Sequence, residues 1–117
     1  MSHSRVRADV FETLIRERSA ATPDGTAVLE DGGLSTTYAE LDERASRTAN
    51  ALVSAGIEPG DRVAFVGENS TAFLATLFGA AKCGAVLVAV NHRLSPAEVD
   101  YILRDARPAA LVLGRGH

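Results

Sequence analysis

Residues 77–103 read LFGAAKCGAVLVAVNHRLSPAEVDYIL, and no other stretch limits the fold as tightly. Residues 85–90, AVLVAV, are apolar without interruption and rich in β-branched side chains. A strand with no polar residue to turn toward solvent is one buried on both faces, the condition of a strand inside a parallel sheet. Ahead of it, residues 71–83 have helical composition, with Phe73, Leu74, Leu77, Phe78, Ala80 and Ala81 spread nearly all the way round, so this helix must be covered on most of its faces. Behind it, Ser95-Pro96-Ala97-Glu98 has the form of a capping box with proline at the first helical position. Val99, Ile102, Leu103 and Ala106 supply that helix's core face; Pro108 closes it, and residues 109–113 form another apolar strand.

The segments upstream extend the same alternation. Val10, Phe11, Leu14 and Ile15 fall on one face of an amphipathic helix over residues 9–20. A turn at Pro23–Gly25, an apolar run over 27–29 and Asp31-Gly32-Gly33 predict a small hairpin ending before Thr36. Thr37-Tyr38-Ala39-Glu40 is a second capping box. It starts a helix whose buried stripe is Tyr38, Leu41, Ala45, Ala49 and Leu52, and which stops near Ala55 with Gly56 as a left-handed cap. Residues 62–66 are a short strand, and Asn69 or Ser70 caps the helix that follows. Strand, helix, strand, helix, strand with short links predicts an α/β fold: a three-layer type of parallel sheet with flanking helices, right-handed crossovers and a small N-terminal hairpin. At 117 residues the expectation is a single domain over 1–117.

Composition narrows the function classes. Apolar residues make up 46% and charged residues 23%, so a packed core is expected. A net charge of -3 and a pI near 5.5 offer no basic field for a phosphate backbone, which argues against nucleic acid as a partner. The one cysteine, Cys83, allows no internal disulfide, and a reducing, cytoplasmic compartment fits best. Glu12, Arg16, Glu17 and Arg18 break up any secretory apolar core, and Gly79, Lys82 and Gly84 interrupt residues 72–90, so no transmembrane segment is read.

Catalytic signatures are scarce. Ligands of a parallel sheet gather at the carboxyl ends of its strands, here Gly67-Glu68-Asn69, Asn91-His92-Arg93 and Gly114-Arg115-Gly116-His117. Arg93 could clamp an anion there, with the helix start at Ser70 donating amides; the simpler reading is solvated loops and helix caps. No GxGxxG or GxxxxGK[ST] follows a strand, and Gly114-x-Gly116 has no helix after it. His3, His92 and His117 lack ligand partners at metal-binding spacing, so no metal site is expected. Cys83 reads as a small core residue rather than a nucleophile. Asp42 and Glu43 point in different directions on their helix and read as a solvated face. The expected lists of catalytic, cofactor-binding and metal-binding residues are therefore empty.

Three stretches carry a family resemblance. STTYAELDERASRTANAL resembles the first core motif, roughly L-[TS]-Y-x-E-L, of the adenylate-forming (AMP-binding) enzymes, through Thr37, Tyr38, Glu40 and Leu41. GAAKCGAVLVAVNHRL is similar to their second motif, through Lys82, Gly84, Ala85, Val88, Val90, Asn91, Arg93 and Leu94. GIEPGDRVAFVGENS is similar to the linker and strand between them. The ending Asn91-x-Arg93-Leu94 looks more like fatty-acyl or aryl-CoA ligases than peptide-synthetase domains, and Ala89 departs from the family's usual proline.

The resemblance implies the first subdomain of the adenylate-forming fold, as the N-terminal piece of an acyl-CoA synthetase. The whole enzyme would use Mg-ATP and coenzyme A to activate a carboxylic or fatty acid, while this chain, without the family's phosphate loop and lid lysine, would be non-catalytic and bind neither cofactor. The alternative is a stand-alone α/β binding or interaction module built from the same subdomain. Two bare sheet edges and an incompletely covered helix 71–83 further predict a homo-oligomer, by edge pairing or by exchange of helix 9–20 across the Pro23–Gly25 turn.

Overall fold

The computed structural model describes residues 3–6, 9–29, 33–68, 70–91 and 93–114. Strand β1 (His3–Val6) leads into helix α1 (Asp9–Ala21), then into a hairpin of β2 (Thr26–Leu29) and β3 (Ser35–Thr37). Helix α2 (Tyr38–Ser54), strand β4 (Arg62–Gly67), helix α3 (Thr71–Lys82), strand β5 (Val86–Asn91), helix α4 (Pro96–Ala106) and strand β6 (Ala110–Leu113) follow.

Both capping boxes form as the sequence predicts. The Thr37 hydroxyl accepts from the Glu40 N–H at 3.1 Å, and the Glu40 carboxylate accepts from the Thr37 N–H at 2.9 Å. Ser95 and Glu98 repeat the exchange at 3.2 and 3.1 Å, with Pro96 opening the helix. Of the two residues proposed to cap α3, Ser70 does so, accepting from the Phe73 N–H at 3.3 Å; Asn69 lies outside the described residues.

The C-terminal ends of α2 and α3 use one device. Gly56 adopts φ 96°, the Ile57 N–H reaches back to the Leu52 carbonyl at 3.0 Å and the Gly56 N–H to Val53 at 3.0 Å. Gly84 adopts φ 76°, with Ala85 donating to Ala80 at 2.9 Å and Gly84 to Ala81 at 3.2 Å. This left-handed closure satisfies carbonyls that would otherwise be orphaned, and a side-chain β-carbon opposes it. Each closure also folds an apolar residue, Ile57 or Ala85, onto the core that the end of its helix already lines.

The main sheet has the order β1-β5-β4-β6. Strands β5, β4 and β6 are parallel, as expected, with Phe65 on β4 level with Ala89 on β5 and with Val112 on β6. The chain passes from β4 to β5 through α3. It then returns across β4 to β6 through α4, on the opposite face. Reversing both direction and face keeps the two crossovers of one hand. Val63, Phe65 and Leu87 point toward α2 and α3, whereas Ala64, Val66, Val88 and Val90 point toward Ile102 and Ala106 of α4. A further layer joins α1 and the hairpin to α2 and α3 around Ile15, Leu41, Ala45, Ala75 and Phe78.

Three structural premises of self-association need correction. The outer edge of β5, predicted to be bare, is paired with β1 in an antiparallel ladder running from His3 opposite Val90 to Val6 opposite Leu87. Helix α3, predicted to keep an uncovered apolar face, is enclosed by α1, α2 and the sheet; none of its residues is exposed. Gly79 lets α2 approach, since a β-carbon there would meet the Thr48 Cβ at 2.8 Å and the Ala45 carbonyl at 2.9 Å. The turn predicted to be a flexible hinge is pinned to the start of α2: Tyr38 donates to the Gly25 carbonyl and Ala39 to the Pro23 carbonyl, each at 3.0 Å. The outer edge of β6 has no partner strand among the described residues.

Candidate functional site

The doubly wound arrangement puts any ligand site of this sheet at the carboxyl ends of β4, β5 and β6, where connections leave β4 and β5 in opposite directions. Gly67 closes β4 and Gly114 follows β6, and here the two backbones touch. The Gly114 N–H donates to the Val66 carbonyl at 2.8 Å. A β-carbon on Gly67 would lie 2.7 Å from the Gly114 Cα, and one on Gly114 would lie 2.7 Å from the Phe65 Cζ. These glycines serve backbone approach and leave space for the Phe65 ring; they do not frame a phosphate cradle. The Phe65 ring is itself wedged edge-on against Phe73 of α3, with centroids 5.4 Å apart at 69°.

Around this edge stand Glu68, exposed, the cap residue Ser70, and Arg93, also exposed, in the turn before α4. Thr71 is buried and its hydroxyl lies 3.5 Å from that of Thr36 on the hairpin. The structure therefore brings Arg93 and Ser70 to the same end of the sheet, as the sequence reading has it. Asn69, His92, Arg115, Gly116 and His117 lie outside the described residues, and His3 is placed by its backbone alone, in β1. Among the described residues no group of histidine, cysteine and carboxylate side chains could hold a metal ion. Cys83 caps α3, half-buried, its Sγ 3.5 Å from the Ala80 carbonyl.

Asp42 departs from its predicted role on a solvated face. Its side chain is partly buried and its Oδ1 wholly so, 2.8 Å from Nζ of Lys82, the only lysine in the chain, and this contact ties α2 to the end of α3. Glu43, one position on, does face solvent and pairs with Arg47. A one-residue step on a helix turns a side chain by roughly a quarter turn or more, which separates the two fates. Nothing local marks Asp42 as the inward one, because its partner is forty residues away.

A shallow open groove of about 300 Å³ runs between α2, α3 and β6, lined by Arg44, Arg47, Thr48, Ala72, Ala75, Thr76 and Val112. The Thr48 hydroxyl donates to the Arg44 carbonyl and that of Thr76 to Ala72, so both threonines are occupied by their own helices. Sequence reasoning singled out none of these residues, since the groove exists only once three distant elements have packed.

With the geometry in place, comparison with known proteins decides the family. The sequence pattern described as AMP-binding enzyme matches residues 15–116. The chain belongs to the AMP-binding enzyme family. A feruloyl-CoA synthase of an Amycolatopsis species is 46% identical over 95 residues, covering 81% of this chain and 19% of that protein. A fatty acid–[acyl-carrier-protein] ligase of Streptomyces coeruleorubidus is 46% identical over 112 residues, covering 93% of this chain and 21% of its own length. Among solved structures, the N-terminal domain of FACL13 from Mycobacterium tuberculosis superposes with a TM-score of 0.81 at 37% identity, over 89% of this chain and 26% of that one. The chain thus spans about a fifth of the length of the curated relatives it matches.

Seen as a member of the AMP-binding family, the chain uses its motif residues for its own architecture. Thr37 and Glu40 form a capping box, Tyr38 and Leu41 pack beneath α1, and Lys82 holds Asp42. Gly84 reverses the chain after α3, Ala85, Val88 and Val90 are buried, and Leu94 packs on the α4 side of the sheet.

The caps also make stability depend on acid. Hydrogen bonds from the Thr37 backbone, then from its side chain, hold the Glu40 carboxyl below its ordinary value of 4.5; Ser95 does the same for Glu98. A lowered native value means that the stabilisation is complete above the ordinary carboxylate range and is lost as pH falls through the native value. The double variant Glu40→Gln, Glu98→Gln is therefore expected to lose less melting temperature between pH 6 and pH 3 than the parent chain. Equal losses in the two proteins would show that the caps do not titrate in this way.

Proposed function

We propose that these 117 residues form the first subdomain of an acyl-CoA ligase, a framework on which the catalytic parts of a larger adenylating enzyme are mounted. In that enzyme a carboxylate oxygen attacks the α-phosphorus of Mg-bound ATP and pyrophosphate leaves. The thiol of coenzyme A then displaces AMP from the acyl-adenylate to give the thioester. The relatives' names, for ferulate and for fatty acids, support a carboxylic acid as substrate; the first names coenzyme A as the acceptor and the second an acyl-carrier protein, while the family description, AMP-binding enzyme, supports an adenine nucleotide as co-substrate.

The reading rests chiefly on one observation: Thr37, Tyr38, Glu40, Leu41, Lys82, Gly84, Ala85, Val88, Val90 and Leu94, which carry most of the family pattern, are engaged in caps, turns, an ion pair and core packing rather than in a reactive cluster. Among the described residues, the carboxyl edge offers no cradle for a nucleotide. Gly67 and Gly114 fill it with each other and with the Phe65 ring, so no step of the chemistry is assigned to this chain's side chains. Stabilising the charge that develops on a transferred phosphoryl group requires donors and cations aimed at it, and these belong to the rest of such an enzyme.

The test is ATP–pyrophosphate exchange by the isolated chain with ferulate, benzoate and a fatty acid in turn, beside calorimetry with Mg-ATP. The expected result is no exchange above background and no heat of binding at micromolar protein. Measurable exchange would place catalytic groups within these residues and overturn the framework reading.

A further inference from the structure

We draw no further inference here: the strongest candidate, the edge of β6, unpaired among the described residues, with Leu111 and Leu113 exposed on its α4 side, is an unpartnered apolar face, and nothing in the structure shows what covers it.

Discussion

Leu77→Asp is expected to abolish the cooperative thermal transition of this chain. Leu77 is 6% exposed and sits on α3 among Leu52, Ile57, Val63, Phe65 and Leu87. A carboxylate there has no cation or donor in the cluster, and an unpaired buried charge costs several kcal/mol even after the group neutralises itself by taking up a proton. Loss of the leucine's own packing adds about 2–5 kcal/mol. A chain of this size is stable by only about 5–15 kcal/mol, so the two losses together consume most of the margin. The control is Arg93→Ala, an exposed position for which a change within about 1 kcal/mol is expected. Thermal melts followed by circular dichroism read both. Equal losses would mean that Leu77 faces solvent or that Arg93 is a structural residue.

Phe65→Ala is expected to cost about 3–5 kcal/mol, the range for removing a fully buried aromatic ring. At roughly 4 °C per kcal/mol for a domain of this length, the melting temperature should fall by about 12–20 °C. Phe65 is 1% exposed at the centre of the parallel sheet, edge-on to Phe73 and directly beneath Gly114. The void would therefore open where β4, β6 and α3 meet, and the two strands are held in place by the sheet ladders, which limits inward collapse. Phe65→Leu keeps most of the volume and should cost less than about 1.5 kcal/mol. A loss below about 1 kcal/mol for Phe65→Ala in chemical denaturation would show that the ring does not fill the core as described.

What the sequence disclosed and what it withheld divide along the range of the interactions. Helix starts are written within four residues: Thr37 with Glu40 and Ser95 with Glu98 state their own hydrogen bonds, and both caps form where the pattern puts them. Gly56 likewise announces a left-handed turn that needs no distant partner. The strand over 85–90 is legible because an uninterrupted apolar run admits only a sheet interior, and it appears as Val86–Asn91. Strand β1 is not legible. His3, Ser4, Arg5 and Val6 carry no alternating apolar pattern, and the strand exists because β5 offers an open edge more than eighty residues away. The Asp42–Lys82 contact, the touching glycines 67 and 114 and the groove beside Arg44 are non-local in the same way.

The candidate site was legible as a location and not as chemistry. The rule that ligands collect at the carboxyl ends of parallel strands points to Ser70 and Arg93, and the fold does bring them to one end of the sheet. Whether that end is a pocket depends on how closely β4 and β6 run. Only the folded chain reveals that β4 and β6 touch there, at Gly67 and Gly114.

The most direct test of the framework claim is a chimera. In the Amycolatopsis feruloyl-CoA synthase, the segment matched by this chain, 46% identical over 95 residues, would be replaced by the corresponding residues of this protein, and thioester formation from ferulate, ATP and coenzyme A would be measured. If these residues supply architecture alone, a chimera that melts cooperatively near the parent temperature should keep thioester formation within about tenfold of the parent enzyme, because no group that stabilises the reacting phosphoryl centre has been exchanged. A chimera that melts as the parent does yet forms no thioester would contradict the account, since catalysis would then depend on side chains within the segment and not on its fold.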